Sequence, residues 1–301
     1  MNTFDLQIQS TASDGKHTPS EIMGMARESH LAVIALTDHD TVAGVEEAIR
    51  AGTEQGVRVI PGIEISAEER GVHILGYGID WHNAGLLEEL EKSKQGRMAG
   101  AKKMAENLKA AGFAIEWEDV AAQATGAVIA RPHLARAVLS RAENKEKLGS
   151  ITSTHDFIEK YLTDDNPNYV RRTHIGGNDA IALIHGAGGV AVWSHPVVHF
   201  EGNYEELENF LRELTAWGID GLEVFNPSHT EDDAEFINGL AVKYHLLRTA
   251  GSDFHEKGDH AADARGLHSA RTLADYETYG FSTDDIIQRL DDAIRNKKLV
   301  I

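Results

Sequence analysis

Seven histidines and carboxylates in this chain stand at, within or just beyond short apolar runs. LAVIAL leads into Thr37-Asp38-His39-Asp40, VRVIPGI leads to Glu64, and VHILGYG carries His73. GGVAVW leads to Ser194-His195-Pro196, and HLLRTAG to Ser252-Asp253-Phe254-His255. Asp14 lies in a Ser-Asp-Gly turn after the first run. Asp253 and His255 are two apart, so an extended chain turns both to one side. Pro196 fixes the backbone beside His195. Imidazole mixed with carboxylate is a donor set for Mn, Fe or Zn rather than for Ca or Mg. One such residue means little; the feature repeated at strand end after strand end predicts a shared cation site. The opening stretch, DLQIQS, breaks the pattern, because it turns two neutral amides, Gln7 and Gln9, to one side.

These residues need strands to gather them. Apolar runs of this kind read as strands buried on both faces, as in parallel sheets. Helical patterns lie between them. PSEIMGMARESH opens with Pro19 at a helix start, VEEAIRAGTEQG stops on Gly56, and NDAIALIHGAGG closes in glycines before the next strand. Strand–helix alternation with chemistry at strand ends fits a (β/α) barrel, whose active site occupies that one face. A doubly wound sheet would also place ligands beyond its strand ends, and the number of converging strands favours the barrel. From about Ala84 to Arg172 the rhythm changes to charged, helical sequence, including LLEELEKSKQGRMAGAKKMAENLKAAG. The predicted organisation is an α/β barrel from 1–83, a helical insertion over the catalytic face at 84–172, and the rest of the barrel at 173–301.

Composition narrows the function. The chain has no cysteine among 301 residues, which removes disulfides, thiolate zinc sites and cysteine nucleophiles. A formal charge of −19 argues against a duplex-DNA partner, since such binding draws on Lys and Arg. A small anionic substrate held locally remains compatible. MNTFDLQIQS lacks the marks of a signal peptide, and no apolar run approaches the ~20 residues that span a bilayer. A cytoplasmic location without a membrane partner is therefore expected. HGAGGV has no following Lys-Ser or Lys-Thr and precedes a strand, so it reads as a helix stop rather than a P-loop. There is no Gly-x-Ser-x-Gly elbow. His17, His30, His82, His155, His185, His199, His245, His260 and His268 sit in loops or helices without a matched partner and read as surface or core residues.

DLQIQSTASDGKHTPSEIMGMARESHLAVIALTDHDTVAG resembles the opening of the PHP (polymerase and histidinol phosphatase) family, where D-L-H-x-H-S, S-D-G and T-D-H-D occur in that order. GIEIS, VHILGYG, ARPHLAR, SHP and GSDFH follow in the family's order, so the resemblance spans essentially the whole chain. It looks closest to the family's metal-dependent phosphoesterases that remove phosphate from nucleotides or trim short RNA from an end. The resemblance implies a distorted (β/α)7 TIM-like barrel and two or three divalent metal ions, Mn, Fe or Zn. Position by position, it implies a first cation on Gln7, Gln9, Glu64 and Asp253, with histidines expected in place of both glutamines. A second would use Glu64, His73 and His195, and a third Asp14, His39 and His255. In that arrangement a metal-bridging hydroxide attacks phosphorus, with Glu64, His195 and Asp253 at the catalytic core.

Arg97, in Gln-Gly-Arg-Met, and Arg131, in Ala-Arg-Pro-His, match positions of the family's insertion that face the metals, and the planar guanidinium fork suits phosphate. His133 would orient substrate or protonate the leaving oxygen, and His229, in Asn-Pro-Ser-His, would line the rim. The implied reaction is hydrolysis of a phosphomonoester or terminal phosphodiester of a nucleotide-like substrate. The alternatives are a histidinol-phosphate-type or other small phosphoester hydrolase, and a non-catalytic metal- or nucleotide-binding protein with a weakened first site. Glutamine is a weaker ligand than imidazole toward first-row transition metals. DLQIQS thus leaves three outcomes open: two cations, three with the first held weakly, or an altered, slow enzyme.

Overall fold

The computed structural model describes residues 3–123, 131–163, 165–170, 175–200, 202–258 and 269–299. His260, His268 and the expected insertion boundary at Arg172 lie outside them. Seven strands lie side by side in chain order. β1 (Phe4–Asp5), β2 (Val33–Leu36) and β3 (Arg58–Ser66) run parallel. β4 (His73–Tyr77) runs antiparallel to β3 and to β5 (Val190–Trp193). β5, β6 (Gly221–Phe225) and β7 (Leu247–Ala250) are parallel again. The two ends of the sheet meet: Leu6 N–H donates to Ala250 O at 3.1 Å, Gln9 N–H donates to Phe254 O at 2.9 Å, and Ile8 bridges Phe254. The result is a nearly closed seven-stranded barrel of the distorted TIM-like kind.

β4 departs from the parallel pairing that the apolar runs predict. Only residues 67–72 separate it from β3, too few for the crossover that a parallel neighbour requires. Elsewhere the crossovers are helical. α1 (Pro19–Glu28) starts in a capping box, with Thr18 and Glu21 each satisfying the other's backbone and Pro19 in the first turn. α2 (Val45–Gln55) stops where Gly56 takes a left-handed conformation, φ 72°. Ile22, Met23, Ile34, Leu36 and Ala48, all fully buried, pack these two helices against the sheet. After β4, α3 (Ala84–Ala110) opens a run of helices: α4 (Trp117–Gln123), α5 (Arg131–Leu139), α6 (Lys145–Leu148) and α7 (Thr154–Tyr161). α8 (Gly177–Gly186), α9 (Tyr204–Ala216), α10 (Glu231–Lys243) and α11 (Ile286–Lys298) alternate with or follow the remaining strands.

Two compact units result, Met1–Glu89 with Ile175–Ile301, and Leu90–His174. The first contains the barrel. The second has its own core, including Met104, Leu108, Leu134 and Phe157, with the Phe113, Phe157 and Tyr161 rings 4.9–5.5 Å apart. Among the described residues no helix is long and apolar enough to cross a membrane.

Candidate metal centre

Parallel strands deliver their C-terminal ends to one mouth of a barrel. His73 stands at the first residue of β4, yet it reaches the same mouth, because antiparallel pairing sets it opposite Ser66 at the end of β3. Beyond β1, Gln7 and Gln9 alternate with Leu6 and Ile8, which are fully buried. The two aspartates flanking His39 build its surroundings. Asp38 is buried and accepts hydrogen bonds from Ser10 N–H (2.6 Å), Ser10 Oγ (2.8 Å) and Ser13 Oγ (2.7 Å), which pins the loop carrying Asp14. Burial pushes the Asp38 carboxyl up, against those bonds. Asp40 N–H donates to Glu64 O at 2.8 Å, and its Oδ1 accepts from Ser66 N–H at 3.0 Å. His39 and Glu64 are bridged as neighbouring strand residues.

Glu64 is completely buried. Its Oε1 lies 2.9 Å from His73 Nδ1 and 3.3 Å from His195 Nε2, and its Oε2 lies 3.8 Å from His39 Nδ1. Among the described residues, Glu64 Oε1, His73 Nδ1 and His39 Nδ1 have no hydrogen-bond partner despite this crowding. The His39 and His73 rings are 4.9 Å apart, and those of His73 and His195 5.1 Å. Buried polar atoms are ordinarily satisfied, so close but unaligned nitrogen and oxygen atoms fit donors arranged round a cation. Burial drives the Glu64 carboxyl upward. The charges of His39 and His73, with the contacts to His195 and His73, overrule it and hold the group well below the usual carboxylate range. Its carboxylate is thus held in the ionised form that a cation would accept. Burial lowers His73, but the Glu64 charge outweighs this and raises it.

A second group adjoins the first. His255 Nδ1–H donates to Asp253 O at 2.7 Å, which leaves its Nε2 facing Asp14 Oδ1 at 3.5 Å. An imidazole that gives one N–H to a carbonyl and presents its other nitrogen is the usual form of a metal-binding histidine. Asp14, His39 and His255 each offer one ligand atom, all within 4.8 Å of one another, and so do His39, Glu64 and His73. His39 therefore stands in both groups, whereas the family pattern uses it once. Asp253 Oδ1 has no hydrogen-bond partner among the described residues. His195 and Asp253 both have positive φ, 27° and 53°, a conformation that costs a non-glycine residue free energy and concentrates at functional sites. His195 is held there by its N–H, which donates to Glu223 Oε2 at 2.9 Å.

One expectation is corrected. His199 is no isolated loop residue: its ring lies 5.9 Å from that of His73 and 5.7 Å from that of His195. Pro196 opens a 3-10 turn that ends at His199, bringing residues four apart together. That spacing in SHPVVH was the available signal. Burial, aided by the nearby His195 and His73, lowers its pKa to about 4, so His199 is neutral at ordinary pH. Sequence reasoning also passed over Ser194 and Asn226, both of which hydrogen-bond Gln7.

Gln7 Nε2 and Gln9 Nε2 both donate to Glu64 Oε2, at 3.0 and 2.6 Å. His229 is fully buried, with Nδ1 2.9 Å from Val224 O, and its carbonyl accepts from Tyr279 Oη at 2.7 Å. In the second unit, Arg97 is a buried residue of α3 and His133 a half-buried residue of α5. Arg131, at the start of α5, sits 5.5 Å over the Tyr169 ring and donates to Leu162 O at 3.4 Å.

The PHP domain family matches residues 5–224. A 3',5'-nucleoside bisphosphate phosphatase of Chromobacterium violaceum is 33% identical over 87% of this chain and 90% of its own length. A 5'-3' exoribonuclease of Haemophilus influenzae is 32% identical over 84% of this chain and 89% of its own. Among solved structures, a Bifidobacterium adolescentis protein assigned as a metal-dependent phosphoesterase superposes with a TM-score of 0.72 at 28% identity, covering 96% of both chains. The chain belongs to the PHP domain family of metal-dependent phosphoesterases.

Proposed function

We infer that this chain hydrolyses a phosphomonoester or terminal phosphodiester of a nucleotide-like substrate at the barrel mouth. The observation that carries the reading is the convergence of unpartnered donor atoms on buried, ionised Glu64. His39, Glu64, His73 and His195 hold one part of the cation cluster, and Asp14, His39 and His255 the other, with Asp253 beside them. The imidazole–carboxylate mixture favours Mn, Fe or Zn over Mg or Ca. Bound cations supply Lewis acidity toward the phosphoryl group and an activated water. The chain's residues do the rest: Glu64 contributes the fixed negative charge, and His255, oriented by Asp253 O, turns its Nε2 toward Asp14 Oδ1. The roles of Arg97, Arg131 and His133 as substrate contacts rest on the family pattern and on side-chain chemistry, whereas His229, fully buried, does not line the rim. The nucleotide-like substrate is favoured by relatives named as a nucleoside bisphosphate phosphatase and an exoribonuclease.

The test is phosphate or nucleotide release with Mn²⁺ present. A nucleoside 3',5'-bisphosphate, a short 5'-phosphorylated RNA and histidinol phosphate are compared, each against a Glu64→Ala control. Release from one of the first two, lost in the control, is the expected result. Equal release by the Glu64→Ala variant, or none from any substrate, would overturn the proposal.

A further inference from the structure

The glutamine corner does not offer what a metal needs. Gln7 and Gln9 turn their amide N–H groups, not their oxygens, toward Glu64 Oε2. The orientation of Gln7 is fixed from an unambiguous donor. Ser228 N–H and Oγ–H both donate to Asn226 Oδ1, at 2.9 and 2.7 Å. The Asn226 amide nitrogen must then point the other way, and it donates to Gln7 Oε1 at 3.2 Å and Glu223 Oε2 at 3.0 Å. With its oxygen so engaged, Gln7 presents Nε2 to Glu64 Oε2 and to Ser194 Oγ, at 3.0 and 2.9 Å. Gln9 makes a 2.6 Å contact with the same carboxylate oxygen, its Nε2 donating to Glu64 Oε2 as that of Gln7 does.

A carboxylate oxygen has about two lone-pair positions, and two N–H groups take both on Glu64 Oε2. A cation at this corner would have to invert both amides. Inverting Gln7 would set its NH₂ against the Asn226 NH₂ and break the relay that begins at Ser228. The two amides supply positive partial charge to the carboxylate, which is what the first cation would otherwise do. Glu64 is left to ligate through Oε1, the oxygen that faces His73 and His195.

We propose that Gln7 and Gln9 are a hydrogen-bonded replacement for the first cation, and that the centre of this chain takes two ions and not three. The proposal rests on the reading of this cluster as a cation centre. The intact chain is dialysed against excess Mn²⁺, desalted, and assayed for metal per chain by elemental analysis, beside the Gln7→His/Gln9→His variant. The expected result is two ions in the unaltered chain and three in the double variant. Three ions in the unaltered chain would overturn the replacement while leaving the cation centre intact. Two ions in both proteins would show that the amides do not close the corner, and would also overturn it. No bound ion in either protein would remove the cation centre itself and the replacement with it. Should the double variant fail to fold, the count on the unaltered chain still decides between two and three.

Discussion

At the scale of single residues, the protons on the imidazoles matter as much as their positions. His73 and His255 are both lowered by burial but raised overall by nearby carboxylates, Glu64 for the first and Asp253 with Asp14 for the second. Raised above the ordinary value of about 6.5, they hold protons at a pH where a free imidazole has begun to lose them. A cation must displace those protons. Mn²⁺ binding at pH 7 is therefore expected to release protons, and affinity to rise with pH until both histidines are neutral. Titration calorimetry in two buffers of different ionisation enthalpy checks this; identical heats in both would contradict it. The histidines and carboxylates that cluster at the barrel mouth were legible as types at strand ends. The orientation of Gln7 was not, because it depends on Asn226 and Ser228, more than two hundred positions away in sequence, and amide orientation leaves no trace in residue spacing.

At the scale of elements, β1 is short and is held to the rest by Asp5. This buried carboxylate accepts from Ser252 N–H (2.9 Å), Ser252 Oγ (2.6 Å), Ala274 N–H (2.6 Å) and Gln7 N–H (3.3 Å). It thereby ties the segment that leads from β1 into the glutamines to the loop that carries Asp253. Asp5→Asn places an NH₂ among these donors and leaves at least one unmatched, at a cost of about 1–3 kcal/mol, measurable by urea unfolding at pH 7. The pH dependence has a definite sign. Burial raises Asp5 to about 6, against its hydrogen bonds. The folded chain thus holds this proton more tightly than the unfolded one, and the stability it contributes is lost as the pH climbs from about 4 to about 6. The Asn variant should lose that part of the slope; an unchanged slope would contradict the assignment. The element pattern itself was largely readable: Pro19 opens α1, and Gly56 closes α2. The direction of β4 was not read, because an apolar run buried on both faces looks the same in either sense. The shortness of the link from Ser66 to His73 carried that information.

At the scale of the whole molecule, every residue of the cluster belongs to one compact unit, although the sequence carries Asp14 and His255 at opposite ends of the chain. The barrel's near closure through Leu6, Ile8 and Gln9 against Ala250 and Phe254 is what joins them. The regular alternation of apolar runs and helical patterns made that closure legible. The charged helical sequence after Ala84 stands apart from the alternating pattern, and Leu90–His174 packs about its own core. We propose that the barrel mouth grips divalent cations between Glu64, His73 and His195 and among Asp14, His39 and His255. Anomalous diffraction from crystals of the Mn²⁺-loaded chain tests it most directly. Manganese peaks within coordination distance of Glu64 Oε1 and of His255 Nε2 are the expected result; an anomalous map without a peak at Glu64 would contradict the account.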